Sequence, residues 1–225
     1  MWSKTKTFSM SKKKKRNKEI ADMKKILYLH GFASSGASGT VGLLRREFWE
    51  KAPPGHRVTI VAPDISLDPL VAFPMLEKLA YDEVPDLIIG TSMGGWYTQM
   101  LHGFTRICVN PSFWLSKKYD ILYVGKHKWM NQRKDGETEF HVTKELIAHY
   151  QEMEERQFDG ITDDDRALCH GLFGDEDNTV LASETRPVFE QHYPGMSHVF
   201  HGGHRMNAHV VVHTLLPFIR NLNLF

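Results

Sequence analysis

Apolar residues in this chain gather in short runs: ILYL at 26–29, TIVA at 59–62, LII at 87–89, ICV at 107–109 and ALCHGLF at 167–173. Between the runs they recur every three or four positions. Short runs of this kind fit strands buried on both faces, and the spaced repeats fit amphipathic helices. The first strand starts at Ile26 and ends in His30-Gly31-Phe32. A helix over about Ser38 to Lys51 places Val41, Leu44, Phe48 and Trp49 on one face and stops at Pro53-Pro54-Gly55. The pattern then predicts a strand over Arg57–Ala62 and a helix from Asp68-Pro69 to about Glu83. Asp68 serves there as cap and Pro69 as first-turn residue, while Pro74 leaves the start open by a turn. The LII strand leads into a helix from Met93 that Gly103 ends, and Pro111 cuts off a strand over Arg106–Asn110. Strand Ala167–Phe173, helix Ala182–Gln191, strand His198–His201 and a last helix complete the series.

Strands alternating with helices mean right-handed βαβ crossovers and a mostly parallel sheet, here of about six strands. The fold class is therefore α/β. Residues 112–166 break the pattern with frequent aromatics (Phe113, Trp114, Tyr119, Tyr123, Trp129, Phe140, Tyr150) and one amphipathic helix near Val142–Arg156. This stretch is expected to be an excursion over the strand ends, a small lid, within a single domain spanning 23–225.

Charge changes the picture only at the start. The net charge of +1 conceals +8 on residues 1–25, which leaves −7 on the rest. Residues 1–22 have no apolar period and no interleaved aromatics, so they read as a solvated, disordered extension and not as a nucleic-acid or lipid contact. No apolar h-region follows the basic run, and no uninterrupted apolar stretch nears the length of a membrane span. Cys108 and Cys169 fall inside strands and not in a C-x-x-C pattern, as buried reduced thiols of a cytoplasmic protein would.

The candidate chemistry centres on Gly90-Thr91-Ser92-Met93-Gly94, a G-x-S-x-G between an apolar run and a helix. So tight a strand-to-helix turn forces its apex into strained φ/ψ and leaves no room for Cβ atoms two residues before and after. It holds Ser92 Oγ out at the C-terminal edge of the sheet, where ligands of parallel sheets bind. A serine nucleophile needs a base, a carboxylate to orient the base, and donors for an oxyanion. His204, after Gly202-Gly203, is the base candidate, with His201 as competitor. Asp177 is the acid candidate from the three consecutive acidic residues 175–177, with Asp175 next. The backbone N–H groups of Phe32 and Met93 are the oxyanion donors.

Together ILYLHGFASS, LIIGTSMGGWY, ICVNPS, LFGDEDNTV and GGHRM resemble the small bacterial α/β-hydrolase esterases of the YqiA type, over most of residues 24–210. The resemblance implies an α/β-hydrolase fold trimmed of N-terminal strands. It also implies a serine esterase without cofactor, acting on a small-molecule ester or thioester, with Ser92, Asp177 and His204 as triad. Members commonly begin at a position like Met23. Two other readings stay open: a catalytically silent binding protein on the same fold, and a metal site among His198, His201, His204, His209 and His213. Against the metal, no glutamate follows His209 as H-E-x-x-H requires. The sequence carries no signal for oligomeric state or acyl identity.

Overall fold

A computed structural model of the chain describes residues 23–53 and 55–225. The basic stretch 1–22 lies outside them. Strands β1 (Lys25–Leu29), β2 (Thr59–Val61), β3 (Leu87–Thr91), β4 (Arg106–Val109), β7 (Cys169–Gly174) and β8 (Ser197–Phe200) form a six-stranded sheet in the order β2-β1-β3-β4-β7-β8. Every neighbouring pair in it is parallel.

Side chains alternate across the strands and feed two cores. Ile26, Tyr28, Leu87, Ile89, Ile107 and Val109 face one, covered by Val41 and Leu44 and by Val210, Val211 and Leu215 near the C-terminus. Leu27, Leu29, Ile88, Cys108 and Phe173 face the other, covered by Ala72, Leu76 and Ala80, by Trp96 and Tyr97, and by Tyr150 and Phe189. The covering helices are α1 (Gly39–Arg45), α2 (Pro69–Glu83), α3 (Met93–Met100), α4 (Lys144–Glu155), the short α5 (Asp163–Arg166) and α6 (Ala182–His192). The last, α7, runs as Ala208–Val210, a π-helical stretch Val211–Leu215 and Leu216–Asn221. Both cysteines are fully buried and free, with Sγ atoms 3.8 Å apart.

Two expectations need correction. The helix after β1 holds Val41 and Leu44 inside, but Trp49 is 40% exposed. The cause is a switch to π geometry over Arg46–Glu50, marked by the Lys51 N–H bond to Arg46 O. Five-residue spacing rotates the last turn off the apolar stripe, and Trp49 is covered instead by the Arg57 guanidinium, 5.3 Å from its ring.

The second correction concerns the excursion, which is not one helix in irregular chain. It also holds an antiparallel hairpin, β5 (Gly125–Lys128) with β6 (Glu139–Val142). Its period-2 pattern is confined to four residues a strand, too short to stand out in sequence. The start of α2 is where Asp68 and Pro69 set it: Asp68 Oδ1 accepts the Leu70 N–H at 2.9 Å, and Pro74 is accommodated inside the helix.

Candidate active site

Ser92 sits between β3 and α3 with φ 55° and ψ −119°, a left-handed conformation that costs an ordinary residue about 1–3 kcal/mol. The glycines make the turn sterically feasible. A Cβ on Gly90 would lie 2.1 Å from Gly94 O, and one on Gly94 would lie 2.1 Å from Leu29 O. The Ser92 backbone is pinned from both sides: its N–H donates to Val109 O at 3.0 Å, and its carbonyl accepts from Trp96 N at 3.0 Å and Ser112 N at 3.1 Å. Behind it every residue of α3 is buried, which offsets the strain. Met93 opens that helix, so its N–H has no intrahelical acceptor and remains available to an anion.

The His30-Gly31-Phe32 turn lies against the same spot. A Cβ on Gly31 would stand 3.3 Å from Ser92 Cβ and 3.8 Å from Ser92 Oγ. His30 is buried and braces the turn. Its Nε2 accepts the Ile65 N–H at 3.1 Å, which leaves Nδ1 as the protonated nitrogen, donating to Gly31 O at 2.8 Å. Burial pushes the His30 pKa down to about 4, so the ring is neutral near neutral pH.

Asp64 performs a matching task, accepting from Gly36 N at 2.8 Å and Lys134 N at 2.7 Å. Burial alone would raise its pKa, but those two N–H bonds together with the nearby Arg133 guanidinium hold the carboxyl below its ordinary value. Further bonds seat the excursion on this loop, from Met130 N to Ala33 O at 2.7 Å and from Ser35 Oγ to Gln132 O at 2.7 Å. The Phe32 ring stands edge-on to Phe140 at 5.6 Å. The hairpin and its connecting loop therefore pack against the loop that follows β1 and against Asp64. Neither His30 nor Asp64 has a role assigned by the sequence reading. The His-Gly pair at a strand end was the available signal for the first, and Asp64 offered none.

At the ends of β7 and β8 the structure brings Asp177 and His204 together. His204 Nδ1 lies 2.7 Å from Asp177 Oδ2. The other carboxylate oxygen, Oδ1, accepts from Thr179 N and Val180 N, each at 2.8 Å. The Asp177 side chain has no solvent exposure, whereas that of His204 is 22% exposed. A neutral His204 bonded in this way carries its proton on Nδ1 and leaves Nε2 free as a base. Asp175 and His201 pair separately: His201 Nδ1 is 3.4 Å from Asp175 Oδ2, with side chains 78% and 47% exposed. The Gly202 N–H, then His201, hold the Asp175 carboxyl below its ordinary range. A bond from Ser92 Oγ to His204 is not among those the described residues form. Such bonds commonly close only with substrate in place.

The His209 and His213 rings meet at 4.6 Å on one helix face. Among the described residues no group of three His, Cys, Asp or Glu could share a metal ion, and no helix is long and apolar enough to cross a membrane.

The model of the family described as Uncharacterised protein family (UPF0227) matches residues 25–170. Among solved structures the chain is similar to Est1E from Butyrivibrio proteoclasticus, at 14% identity over 90% of this chain and 88% of that one, with a TM-score of 0.59. It is similar to the Paleococcus ferrophilus monoacylglycerol lipase, at 12% identity over 88% and 93% of the two chains, TM-score 0.57. The alpha/beta hydrolase domain-containing protein 10 from mouse gives 16% identity over 88% and 90%, TM-score 0.55. At these identities the likeness concerns the fold, which is that of the α/β-hydrolases.

Proposed function

The chain belongs to the Uncharacterised protein family (UPF0227), and from that premise and the geometry of the strand ends we propose that it is a serine hydrolase of carboxylic esters or acyl thioesters. The observation that carries this reading is the buried His204–Asp177 contact at 2.7 Å, on the same sheet edge as a serine held at φ 55°. In this mechanism Ser92 Oγ attacks the acyl carbon while His204 Nε2 takes its proton. The Asp177 carboxylate holds the imidazole in the tautomer with Nδ1 protonated and stabilises the imidazolium as it forms. The tetrahedral oxyanion accepts from the N–H groups of Met93 and Phe32. His204 then protonates the departing alcohol or thiol, and an acyl-Ser92 ester remains. Water activated by the same Nε2 releases the acid. The residues need no cofactor for this sequence.

That one similar fold is named a monoacylglycerol lipase supports the ester bond as the class attacked. In the same reading the hairpin is a lid: Phe140 and Trp129, 4.3 Å apart, wall the acyl side through Phe32. Purified protein should hydrolyse short 4-nitrophenyl esters, and Ser92→Ala should abolish the turnover while keeping the fold. Equal turnover by wild type and Ser92→Ala would refute the proposal.

A further inference from the structure

One buried side chain bridges the loops that carry the proposed acid and base. Asn110 follows β4 in a left-handed conformation, φ 45°, which asparagine tolerates better than most residues that have a Cβ. It is only 2% exposed. Its Oδ1 accepts the Gly174 N–H at 2.7 Å, and its Nδ2 donates to Gly203 O at 3.2 Å, with His204 O at 3.5 Å. The amide can face only one way. A flip would set NH2 against the Gly174 N–H and a carbonyl against two carbonyls, losing every bond.

The two loops it joins are the ones that matter. Gly174 ends β7 and starts the turn to Asp177, whose N–H bonds back to Gly174 O at 3.3 Å. Gly203 directly precedes His204, and Gly202 O accepts from Glu176 N at 3.0 Å. The residue before Asn110 reaches the nucleophile, since Val109 O accepts the Ser92 N–H at 3.0 Å. Consecutive positions thus hold the serine turn by main chain and the acid and base loops by side chain.

We propose that Asn110 is a positioning residue that sets the His204 imidazole against both Asp177 and Ser92. The proposal rests on the hydrolase reading for its kinetic consequence but not for its geometric one. Displacing a catalytic group by about 1 Å can cost on the order of 100-fold in rate, and the Asn110 amide is the buried side-chain tie at Gly203 and His204, beside the Gly202 bonds to Glu176 N and Asp175 Oδ1. Rate then falls with little change in substrate affinity, because Asn110 itself does not touch the substrate.

The experiment uses two variants of the full chain. Asn110→Gly keeps the left-handed backbone free of strain and removes the amide. Asn110→Asp keeps the acceptor for Gly174 and the tolerated φ, but places an oxygen where the donor to Gly203 stood. Each should lower kcat about ten- to a hundredfold with KM held within about twofold. The proton between His204 Nδ1 and Asp177, a low-field NMR resonance that Asp177→Asn removes, should broaden or vanish in both. If either folded variant keeps wild-type kcat together with that resonance and only its thermal midpoint drops, Asn110 merely stabilises the fold and the proposal is overturned. Should the glycine variant not fold, the aspartate variant decides alone. If the wild type hydrolyses no ester, the functional reading fails, and the resonance still judges the role of Asn110.

Discussion

Two carboxylate–histidine pairs bridge the ends of β7 and β8, and their sequence separations, 27 and 26 residues, are nearly the same. Asp177 has no solvent exposure, its second oxygen held by two backbone N–H groups, and the pair closes at 2.7 Å. Asp175 and His201 lie in solvent at 3.4 Å. An exposed pair of this kind contributes little, since water screens the attraction and ordering both side chains costs entropy. A buried, fully hydrogen-bonded carboxylate fixes one tautomer of its partner. Spacing therefore names two candidate pairs, and burial separates them.

The largest contrast is expected between the histidines. His204→Ala should lower kcat by about 10⁵- to 10⁶-fold and match Ser92→Ala, because members of one catalytic unit are not additive. His201→Ala should stay within about threefold of wild type, as surface changes usually do. Steady-state kinetics on one ester checks both, and a crippled His201→Ala would transfer the base to the exposed pair.

Between the carboxylates the contrast is somewhat smaller. Asp177→Asn should cost on the order of 10⁴-fold in kcat while the protein stays folded, because the amide oxygen stays with the Thr179 and Val180 N–H groups and the NH2 then faces Nδ1, which favours the wrong tautomer. Asp175→Asn should leave kcat nearly unchanged. A reversal of the two values, with circular dichroism intact for both, would mean that burial does not select the acid.

A third histidine sharpens the comparison through pH. His30 is buried and neutral, with its pKa lowered from 6.5 to about 4 by burial. The unfolded chain therefore takes up its proton first as pH falls. The contribution is whole above about pH 6.5 and is lost progressively down to about pH 4, in total about 3 kcal/mol. Urea unfolding at pH 7 and pH 4.5 should show this loss, and His30→Gln should flatten the difference. An unchanged slope in that variant would place the acid sensitivity elsewhere, with Asp64 the next group to examine.

Most of the fold was legible because its signals are local and strong. Fully apolar strands such as Leu87–Ile89, and breakers such as Pro111 and Gly103, need no tertiary information. The serine turn was legible for a similar reason, since Gly90 is dictated by overlap with Gly94 O four residues on, although Gly94 itself answers to Leu29 O in β1. What escaped depends on contacts distant in sequence. The π-helical turn at Arg46–Glu50 carries no pattern of its own. The β5–β6 hairpin alternates over only four residues a strand and is held by Phe32, Ala33 and Asp64 from another part of the chain. The bridging amide of Asn110 spans 64 residues to Gly174 and 93 to Gly203, a relation that no spacing rule anticipates.

Covalent labelling with a fluorophosphonate, followed by mass spectrometry of the modified peptide, reads the nucleophile and its base together. A single adduct on Ser92 is expected. It should form at near wild-type rate in Asp175→Asn and His201→Ala, and at least a hundredfold more slowly in Asp177→Asn and His204→Ala. An adduct on another residue, or labelling of Ser92 that is indifferent to His204→Ala, would contradict the proposed triad.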